Sequence, residues 1–271
     1  MSEVIPQIPK VSSLIIHSGN IVNWNRLKRK PNQSSTEELS ECMRETLSNH
    51  LKEQDKTELQ YVTEIDSPHT KYMEKLPKDT RGDLKITLKF FMCRLLEPAT
   101  ITKAIEIALK EMDVDFIETV LLSFPDFEDG ALTLENIQPY WKVLEKLVED
   151  EVVLALGISD LDKCLLEQLY DWAQIKPTIN QVNLESCCVM PKDLTEYAKQ
   201  KDIQLLTHND PKDILSDSKL QNIIASSSTD KDAENWMMQW VIRYAVLVKC
   251  RGIIKTKAYI TCSSRDFKRQ R

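Results

Sequence analysis

Short apolar runs recur along the chain, and longer amphipathic stretches separate them. In most runs the apolar side chains follow one another without polar interruption, which is typical of parallel strands covered on both faces. Eight runs are predicted strands: SLIIHS (13–18), QYVTEI (60–65), KITLKFF (85–91), ETVLLS (118–123), VVLALGIS (152–159), TINQVNL (178–184), IQLLTH (203–208) and GIIKT (252–256). The pattern therefore predicts an α/β protein.

Helical periodicity appears between several of these runs. Residues 134–149 and residues 160–173 each place apolar side chains on one face at helical spacing. Ser159 and Asp162 are placed to cap the second of these helices, and Pro191 fits the first turn of a helix that ends near residue 201.

Three other segments are less regular. Residues 66–82 are too short for a full helix and are interrupted by proline and glycine. The serine-rich run at 225–231 predicts a loop. Residues 234–248, rich in tryptophan and valine, are predicted as a further helix.

Eight strands with intervening helices predict a single-domain (β/α)8 TIM barrel. We expect the barrel to span residues 13–260, with a flexible N-terminus at 1–12 and a basic C-terminal tail at 261–271. Function in such barrels lies at the carboxyl ends of the strands. Those positions hold Lys89, Ser123, Ser159, Asp160, Glu185 to Cys188, His208 and Thr256.

Composition narrows the class of protein. The 271 residues are 42% hydrophobic and 29% charged, as in ordinary globular proteins, and the net charge of −6 disfavours a nucleic-acid partner. The apolar runs are too short to span a bilayer, and the first residues do not resemble a secretory signal, so we expect no membrane association and a cytoplasmic location.

Several common catalytic motifs are missing from the sequence. The five glycines are too widely spaced for a phosphate-binding loop, and there is no Gly-x-Ser-x-Gly nucleophile elbow. The four histidines form no HExxH pair, and the seven cysteines include no C-x-x-C pair. We therefore expect no metal site.

Successive strand segments of the chain resemble those of aldo–keto reductases. The similar segments are RGDLKITLKFF, ALKEMDVDFIETVLLSFPD, LEKLVEDEVVLALGISDLD, KPTINQVNLE and WVIRYAVLVKCRGIIKTK, in that order over residues 80–257. The resemblance implies a (β/α)8 barrel of the type that reduces carbonyls with NADPH.

The reductase chemistry that this resemblance implies is incomplete in the sequence. Those enzymes use a tyrosine as general acid, tuned by a lysine and an aspartate, with a histidine that orients the carbonyl. Lys89 stands at the lysine position, but Ser123 replaces the histidine. Asp66 and Tyr72 are the nearest candidates for the other two roles, and they are one residue too far apart. We expect no catalytic residues here, only degenerate positions at Lys89 and Ser123.

The cofactor positions implied by the resemblance are also altered. Ser159 and Gln181 match residues that hold the nicotinamide amide, Asp160 replaces an asparagine, and His208 replaces the tyrosine that stacks on the ring. The segment that grips the 2′-phosphate is matched by Lys255 and Thr256. All six are treated as vestigial, and no cofactor is expected.

A narrower resemblance covers residues 14–260. The segments GNIVNWNRLKRK, LENIQPYW, GISDLDKCLLEQLYDWAQIKPTINQVNLESCCVMPKDL, KDIQLLTHNDPKDIL and RGIIKTKAYI are similar to the regulatory (modifier) subunits of glutamate–cysteine ligase. This resemblance implies a non-catalytic partner of the ligase's catalytic subunit in a heterodimer. It also implies a higher apparent affinity of the enzyme for glutamate and weaker feedback inhibition by glutathione.

Cys187 and Cys188 follow the end of a predicted strand, on the functional face of a barrel. Spacing disfavours a metal site, and a bond between adjacent cysteines would be strained. Two interpretations stay open: ordinary core packing, or a disulfide with the catalytic subunit as the family resemblance implies. Cys250 and Cys262 are weaker candidates, and Cys42, Cys93 and Cys164 are predicted to be packing residues.

Two other functions remain possible from the sequence. One is a divergent NADPH-dependent aldo–keto reductase that uses Lys89 with Tyr72 or Tyr61. The other is an NADPH-binding sensor that regulates the ligase without turnover. NADPH binding discriminates both from a regulatory subunit that needs no cofactor.

Overall fold

The computed structural model describes residues 8–24, 33–53, 62–126, 130–183, 189–230 and 232–266. Within them, nine strands form one sheet: β1 Ser13–His17, β2 Glu64–Pro68, β3 Leu84–Met92, β4 Ile117–Ser123, β5 Val153–Ser159, β6 Ile179–Asn183, β7 Gln204–His208, β8 Trp236–Val248 and β9 Ile253–Arg265. The α-helices are α1 Ser35–Glu53, α2 Ala99–Met112, α3 Leu134–Glu149, α4 Lys163–Trp172, α5 Lys192–Gln200 and α6 Asp217–Ser227. No helix among these residues is both long enough and apolar enough to cross a membrane.

The centre of the sheet has the predicted alternation of strands and helices. The strand order is β2-β1-β9-β8-β3-β4-β5-β6-β7, and β3 to β7 are parallel neighbours in chain order. A helix follows each of the strands β3 to β6. The predicted helix at 134–149 is confirmed, as is the Asp162 cap, whose Oδ1 accepts a hydrogen bond from Leu165 N at 2.8 Å. Pro191 is the N-cap of α5.

The C-terminal third of the sheet is an antiparallel hairpin. Strand β8 pairs antiparallel with both β3 and β9, and β9 pairs antiparallel with β1. The helix predicted at 234–248 is therefore wrong. Both faces of β8 are largely apolar, so its apolar residues also occur at the spacing expected for a helix. Its aromatic and β-branched side chains nevertheless favour a strand. The loop predicted at 225–231 is also corrected, because α6 continues to Ser227.

The hairpin reverses the two N-terminal strands. Three successive antiparallel pairings, β1–β9, β9–β8 and β8–β3, separate β1 from β3. Strand β1 therefore runs against β3, and β2, which is parallel to β1, does the same. Both strands therefore point towards the amino ends of β3 to β7, whereas all strands of a regular barrel point the same way. Through β9 and β8, His17 at the end of β1 aligns with Phe90 of β3.

Two hydrophobic cores cover the sheet. The first core combines β3, β4 and β5 with buried side chains of α2 to α5. The second core combines β1 and β2 with buried side chains of α1 and α6. Strand β8 contributes to both, since Ile242 belongs to the first core and the adjacent Val241 to the second. The hairpin thus joins the two cores.

The barrel domain extends further than predicted at both of its ends. Ile8 and Val11 are buried, so the flexible N-terminus predicted for 1–12 is wrong over residues 8–12. Strand β9 continues to Arg265, whose buried guanidinium donates to Val11 O from Nε at 2.8 Å and pairs with Asp230. The basic tail predicted from 261 therefore begins after Arg265, because this arginine ties the two ends of the chain together.

Candidate functional site at the carboxyl ends of the central strands

The buried carboxylate of Asp210 organises the carboxyl ends of β3 and β7. Lys89 Nζ on β3 lies 3.0 Å from Asp210 Oδ2. Arg243 on β8 donates from Nη1 to Oδ1 at 2.5 Å and from Nη2 to Oδ2 at 2.8 Å. Ser35 Oγ at the start of α1 donates to Oδ1 at 2.7 Å. The side chains of Lys89 and Asp210 are each 3% exposed, so this ion pair is almost dry.

The electrostatics of this cluster follow from burial and opposite charge. Burial favours the neutral acid, but hydrogen bonds from His208 and Arg243 and the charges of Arg243 and Lys89 hold the pKa of Asp210 far below its usual range. Burial lowers the pKa of Lys89, and the carboxylate of Asp210 opposes that effect. Lys89 is therefore committed to a structural ion pair.

A second polar pair lies beside the first. His208 Nδ1 at the end of β7 lies 3.1 Å from Asp210 N and 3.4 Å from Asp210 Oδ2, and Nε2 lies 3.0 Å from Asp160 Oδ1. Asp160 also accepts from Asn183 N at 2.8 Å and has a left-handed backbone with φ 61°. Burial lowers the pKa of His208, but its hydrogen bonds to Asp160 and Asp210 outweigh burial and raise it.

A cavity of about 420 Å³ opens over these groups. An exposed ion pair between Lys212 and Asp126, 2.8 Å apart, lies at its rim. The hydroxyl of Ser159 and Oε1 of Gln181 are buried without a hydrogen-bond partner among the described residues. The structure thus assembles six predicted site residues at one end of the sheet: Lys89, Ser123, Ser159, Asp160, Gln181 and His208.

The other predicted cofactor residues lie elsewhere. The pairings across the sheet place each residue against a position on β3. Thr256 lies level with Ile86 of β3, whereas Ser159 lies beyond the level of Phe90. At about 3.3 Å per residue, the separation along the strands is roughly 13 Å or more. Lys255 is the unopposed residue of a β-bulge in β9 and is exposed. The two positions matched to the 2′-phosphate are therefore at the opposite end of the sheet from the positions matched to the nicotinamide.

The positions matched to the nicotinamide bear directly on NADPH. The unpartnered polar atoms of Ser159 and Gln181 offer hydrogen bonds to an amide, but Asp160 and His208 already bind each other where the ring would lie. The position matched to the nicotinamide ring is therefore taken up by the hydrogen bond between His208 and Asp160.

Asp66 and Tyr72 make their contacts with residues other than Lys89. Asp66 Oδ1 binds His17 Nε2 at 2.9 Å. Tyr72 packs against the rings of Trp24 and His69, with centroids 5.3 and 4.7 Å away. The structure does not bring the proposed acid, aspartate and lysine of a reductase together. Tyr61 lies outside the described residues.

A separate buried cluster surrounds His17. Its Nδ1 lies 2.6 Å from Glu111 Oε2, and Tyr244 donates to Glu111 Oε1 at 2.7 Å. Burial lowers the pKa of His17, but the hydrogen bonds and charges of Asp66 and Glu111 outweigh it and raise the pKa to about 9. The imidazolium therefore links β1, β2 and α2 electrostatically.

The cysteines do not form a site within the described residues. Cys187 and Cys188 lie outside the described residues, so their two interpretations stay predictions. Cys42 is buried, as predicted for a packing residue, and Cys93 is half-buried. Cys164 is exposed on α4, so its prediction as a packing residue is wrong: its position falls on the outer face of that helix. Cys250 is exposed and Cys262 is half-buried. No three His, Cys, Asp or Glu side chains in the described ranges are grouped to hold a metal ion.

Sequence reasoning missed Asp210 and Arg243, the two residues that organise the site. Asp210 follows His208 by two positions, just after a predicted strand. Its position at a strand's carboxyl end could have identified it as a site residue. Arg243 is a single cation within the apolar run WVIRYAV. A buried arginine requires a carboxylate, but the sequence does not say which one.

The chain is similar in sequence to members of the aldo/keto reductase family and, over 95% of its length, to regulatory subunits of glutamate–cysteine ligase. A model of the Aldo/keto reductase family matches residues 67–253. The glutamate–cysteine ligase regulatory subunit of Mus musculus is 43% identical over 262 residues, covering 95% of each chain, and that of Homo sapiens has the same identity and coverage. Glyoxal reductase of Bacillus subtilis is 31% identical over 106 residues, covering 39% of this chain and 36% of the reductase.

These similarities bear out the predicted fold class and the predicted regulatory, non-catalytic class. The family match covers most of the chain, and the full-length relatives carry the name of a regulatory subunit, whereas the similarity to an enzyme is confined to a shorter segment. The chain belongs to the aldo/keto reductase family and, within it, to the regulatory subunits of glutamate–cysteine ligase.

Proposed function

We propose that this chain binds the catalytic subunit of glutamate–cysteine ligase in a cytoplasmic heterodimer, raises its apparent affinity for glutamate and relieves feedback inhibition by glutathione. The observation that carries the proposal is the buried ion pair of Lys89 with Asp210, together with the contacts of Asp66 with His17 and of Tyr72 with the rings of Trp24 and His69. Among the described residues no tyrosine hydrogen-bonds to this lysine, so the fold serves binding rather than carbonyl reduction.

The mechanism of activation is thermodynamic linkage. A regulatory subunit that binds the active conformation of the catalytic subunit more tightly shifts the equilibrium towards that conformation. Glutamate then binds a larger active population, and glutathione competes less well if it favours the inactive one. A coupling of about 1–3 kcal/mol, typical of such systems, changes an apparent affinity by roughly 5- to 150-fold.

Reconstitution tests the proposal. The purified chain and the catalytic subunit are mixed under reducing conditions and separated by size exclusion with light scattering. Ligase rates are then measured against glutamate, with and without glutathione. We expect a one-to-one complex, a lower KM for glutamate and weaker inhibition by glutathione. Absence of a complex together with unchanged kinetics would overturn the proposal.

A Tyr72→Phe variant is the matched control for residual reductase chemistry. It removes only the hydroxyl of the candidate general acid, so activation of the ligase should be unchanged. We expect no NADPH consumption with aldehydes by either protein. If the wild-type chain consumed NADPH and the variant did not, the reductase interpretation would replace this one.

The NADPH-sensor alternative has a specific observation in its favour, the unpartnered Ser159 hydroxyl and Gln181 Oε1. Against it stands the hydrogen bond between His208 and Asp160, which takes up the position matched to the nicotinamide ring. The proposal therefore includes no cofactor. Titration with NADPH should leave the tryptophan fluorescence and the affinity for the catalytic subunit unchanged, and a saturable change in both would establish the sensor.

The disulfide prediction is tested in the same complex. Cys187→Ser and Cys188→Ser variants are compared with the wild-type chain on non-reducing gels after oxidation. A covalent heterodimer that one substitution abolishes identifies an intersubunit disulfide. If the covalent heterodimer still forms with each variant, or if it does not form even with the wild-type chain, Cys187 and Cys188 are packing residues.

A further inference from the structure

A second cavity, the inner cavity, is lined by Lys89 and Arg243 and extends to the exposed Ile254 and the half-buried Lys257. Its volume is about 260 Å³, and residues of β3, β4, β6, β8 and β9 line it. Leu121 and Ile254 supply apolar walls. This cavity is distinct from the 420 Å³ cavity over Asp160 and His208, because the two share no lining residue.

The charges around the inner cavity are asymmetric. Lys89, Arg243 and Lys257 all line it, and no acidic side chain among the described residues does so. The carboxylate that balances Lys89 and Arg243 is Asp210, which lines the outer cavity instead. Lys257 Nζ pairs with Glu38 Oε1, which is also outside the lining. The inner cavity is therefore electropositive and favours an anion.

A second observation points to a ligand with a polar group beside its charge. Oε1 of Gln181 is buried without a hydrogen-bond partner among the described residues, and Gln181 lines the cavity. A buried acceptor without a partner costs free energy that a donor would recover. A hydroxyl on the ligand would supply that donor.

We propose that the inner cavity binds a small aliphatic hydroxycarboxylate. The carboxylate lies among Lys89, Arg243 and Lys257, so these cations are placed between it and the carboxylates of Asp210 and Glu38. The hydroxyl donates to Gln181 Oε1, and the aliphatic chain packs against Leu121 and Ile254. At about 30 Å³ per water-sized group, the cavity holds about nine non-hydrogen atoms, the size of 2-hydroxyhexanoate.

Isothermal titration of the isolated chain tests the proposal with 2-hydroxyhexanoate as the probe. Its neutral analogue is 1,2-hexanediol, which keeps the hydroxyl and the aliphatic chain and lacks the carboxylate. We expect saturable binding of the acid and at least about tenfold weaker binding of the diol. No saturable binding of the acid at about 10 mM, or equal binding of both compounds, would overturn the proposal.

Two pairs of variants on β9 locate the site. Lys257→Gln removes a cation that lines the cavity, and Lys255→Gln removes a neighbouring exposed cation that does not. Ile254→Glu places a carboxylate in the wall, and Ile253→Glu places one beside it, outside the lining. Ile253 and Ile254 are 55% and 47% exposed, so both variants should fold, which circular dichroism checks.

We expect Lys257→Gln and Ile254→Glu each to weaken binding of 2-hydroxyhexanoate at least about tenfold, with Lys255→Gln and Ile253→Glu within about twofold of wild type. If each member of a pair weakened binding equally, the effect would be the general charge of the hairpin and the proposed site would be wrong. Because the readout uses the isolated chain, failure here is distinct from failure to activate the ligase.

Discussion

At the scale of single residues, Asp210 has the largest expected influence on stability. Its side chain binds two cations, and the Lys89 side chain is 3% exposed. Asp210→Asn would leave Lys89 and Arg243 without their counter-charge in a nearly dry environment. Removing one partner of a buried ion pair costs about 3–5 kcal/mol. Urea unfolding followed by tryptophan fluorescence should show a loss of that size.

Asp126→Asn is the matched control for Asp210→Asn. Asp126 also pairs with a lysine, Lys212, at 2.8 Å, but both side chains are more than two-thirds exposed. Exposed ion pairs contribute about 0–1 kcal/mol. Equal losses for the two variants would show that the Asp210 cluster is hydrated in solution.

His17 should make the stability of the chain depend on pH. Its pKa is raised from 6.5 to about 9, so the folded state binds the proton more tightly than the unfolded state. The extra stability is fully present below about pH 6.5 and is lost as the pH rises through about 9. A shift of this size corresponds to roughly 3 kcal/mol.

The measurement compares wild type with His17→Asn at pH 6 and at a pH above 9, both by urea unfolding. The free-energy difference between the two proteins should be larger at the lower pH, because only there does the wild-type imidazolium attract Asp66 and Glu111. A difference that is the same at both pH values would mean that His17 has the same pKa in the folded and the unfolded chain.

At the scale of elements, the turn between β8 and β9 depends on Gly252. This residue has φ +61°, and an added Cβ would meet no atom within 4 Å. Gly252→Ala should therefore destabilise the chain by about 1 kcal/mol through backbone strain alone. Gly82→Ala is the control, since Gly82 also has open space but no positive φ. Thermal unfolding of both variants checks the difference, and a Gly82→Ala variant that is equally destabilised would exclude the backbone explanation.

Local patterns predicted the elements whose neighbours in space are also neighbours in the chain. The strands β3 to β7 lie within a residue or so of their predicted bounds, because each buries a continuous apolar run beside the next. Strand β8 was missed because its apolar side chains occupy both faces. The direction of β1 and β2 depends on pairing with residues more than 240 positions away, such as His17 with Ile260, and no local pattern contains that information.

Part of the candidate functional site could be predicted because it is formed by strands that are neighbours both in the chain and in space. Lys89, Ser159 and His208 end strands of the parallel segment, so their meeting follows from the strand order. Lys255 and Thr256 were placed with them only by resemblance to a regular barrel, and the antiparallel hairpin moves them to the other end. The partner of Lys89 was missed because it lies beyond a strand end, in a loop.

At the scale of the whole molecule, the two cores should unfold together. Strands β8 and β9 contribute buried side chains to both cores. Leu39→Ala on α1 removes a fully buried side chain of the second core and should cost about 2–5 kcal/mol. Hydrogen exchange followed by mass spectrometry should then show faster exchange by the same factor in α1 and in β4, which belongs to the first core.

The exchange experiment has a clear contrary result. If Leu39→Ala accelerated exchange in α1 and left β4 unchanged, the second core would open independently of the first. Leu154→Ala is the control, because Leu154 on β5 is 54% exposed and its truncation should change neither region.

The position of the hairpin in the chain has a consequence for synthesis on the ribosome. The N-terminal strands β1 and β2 reach the parallel strands only through β8 and β9, which are the last to be made. Between residues 68 and 265, at about 5–20 residues per second, roughly 10–40 seconds elapse. During that interval Leu14 and Ile16 on the nascent chain lack the strand that will pair with β1, so they are targets for chaperones until the final hairpin emerges.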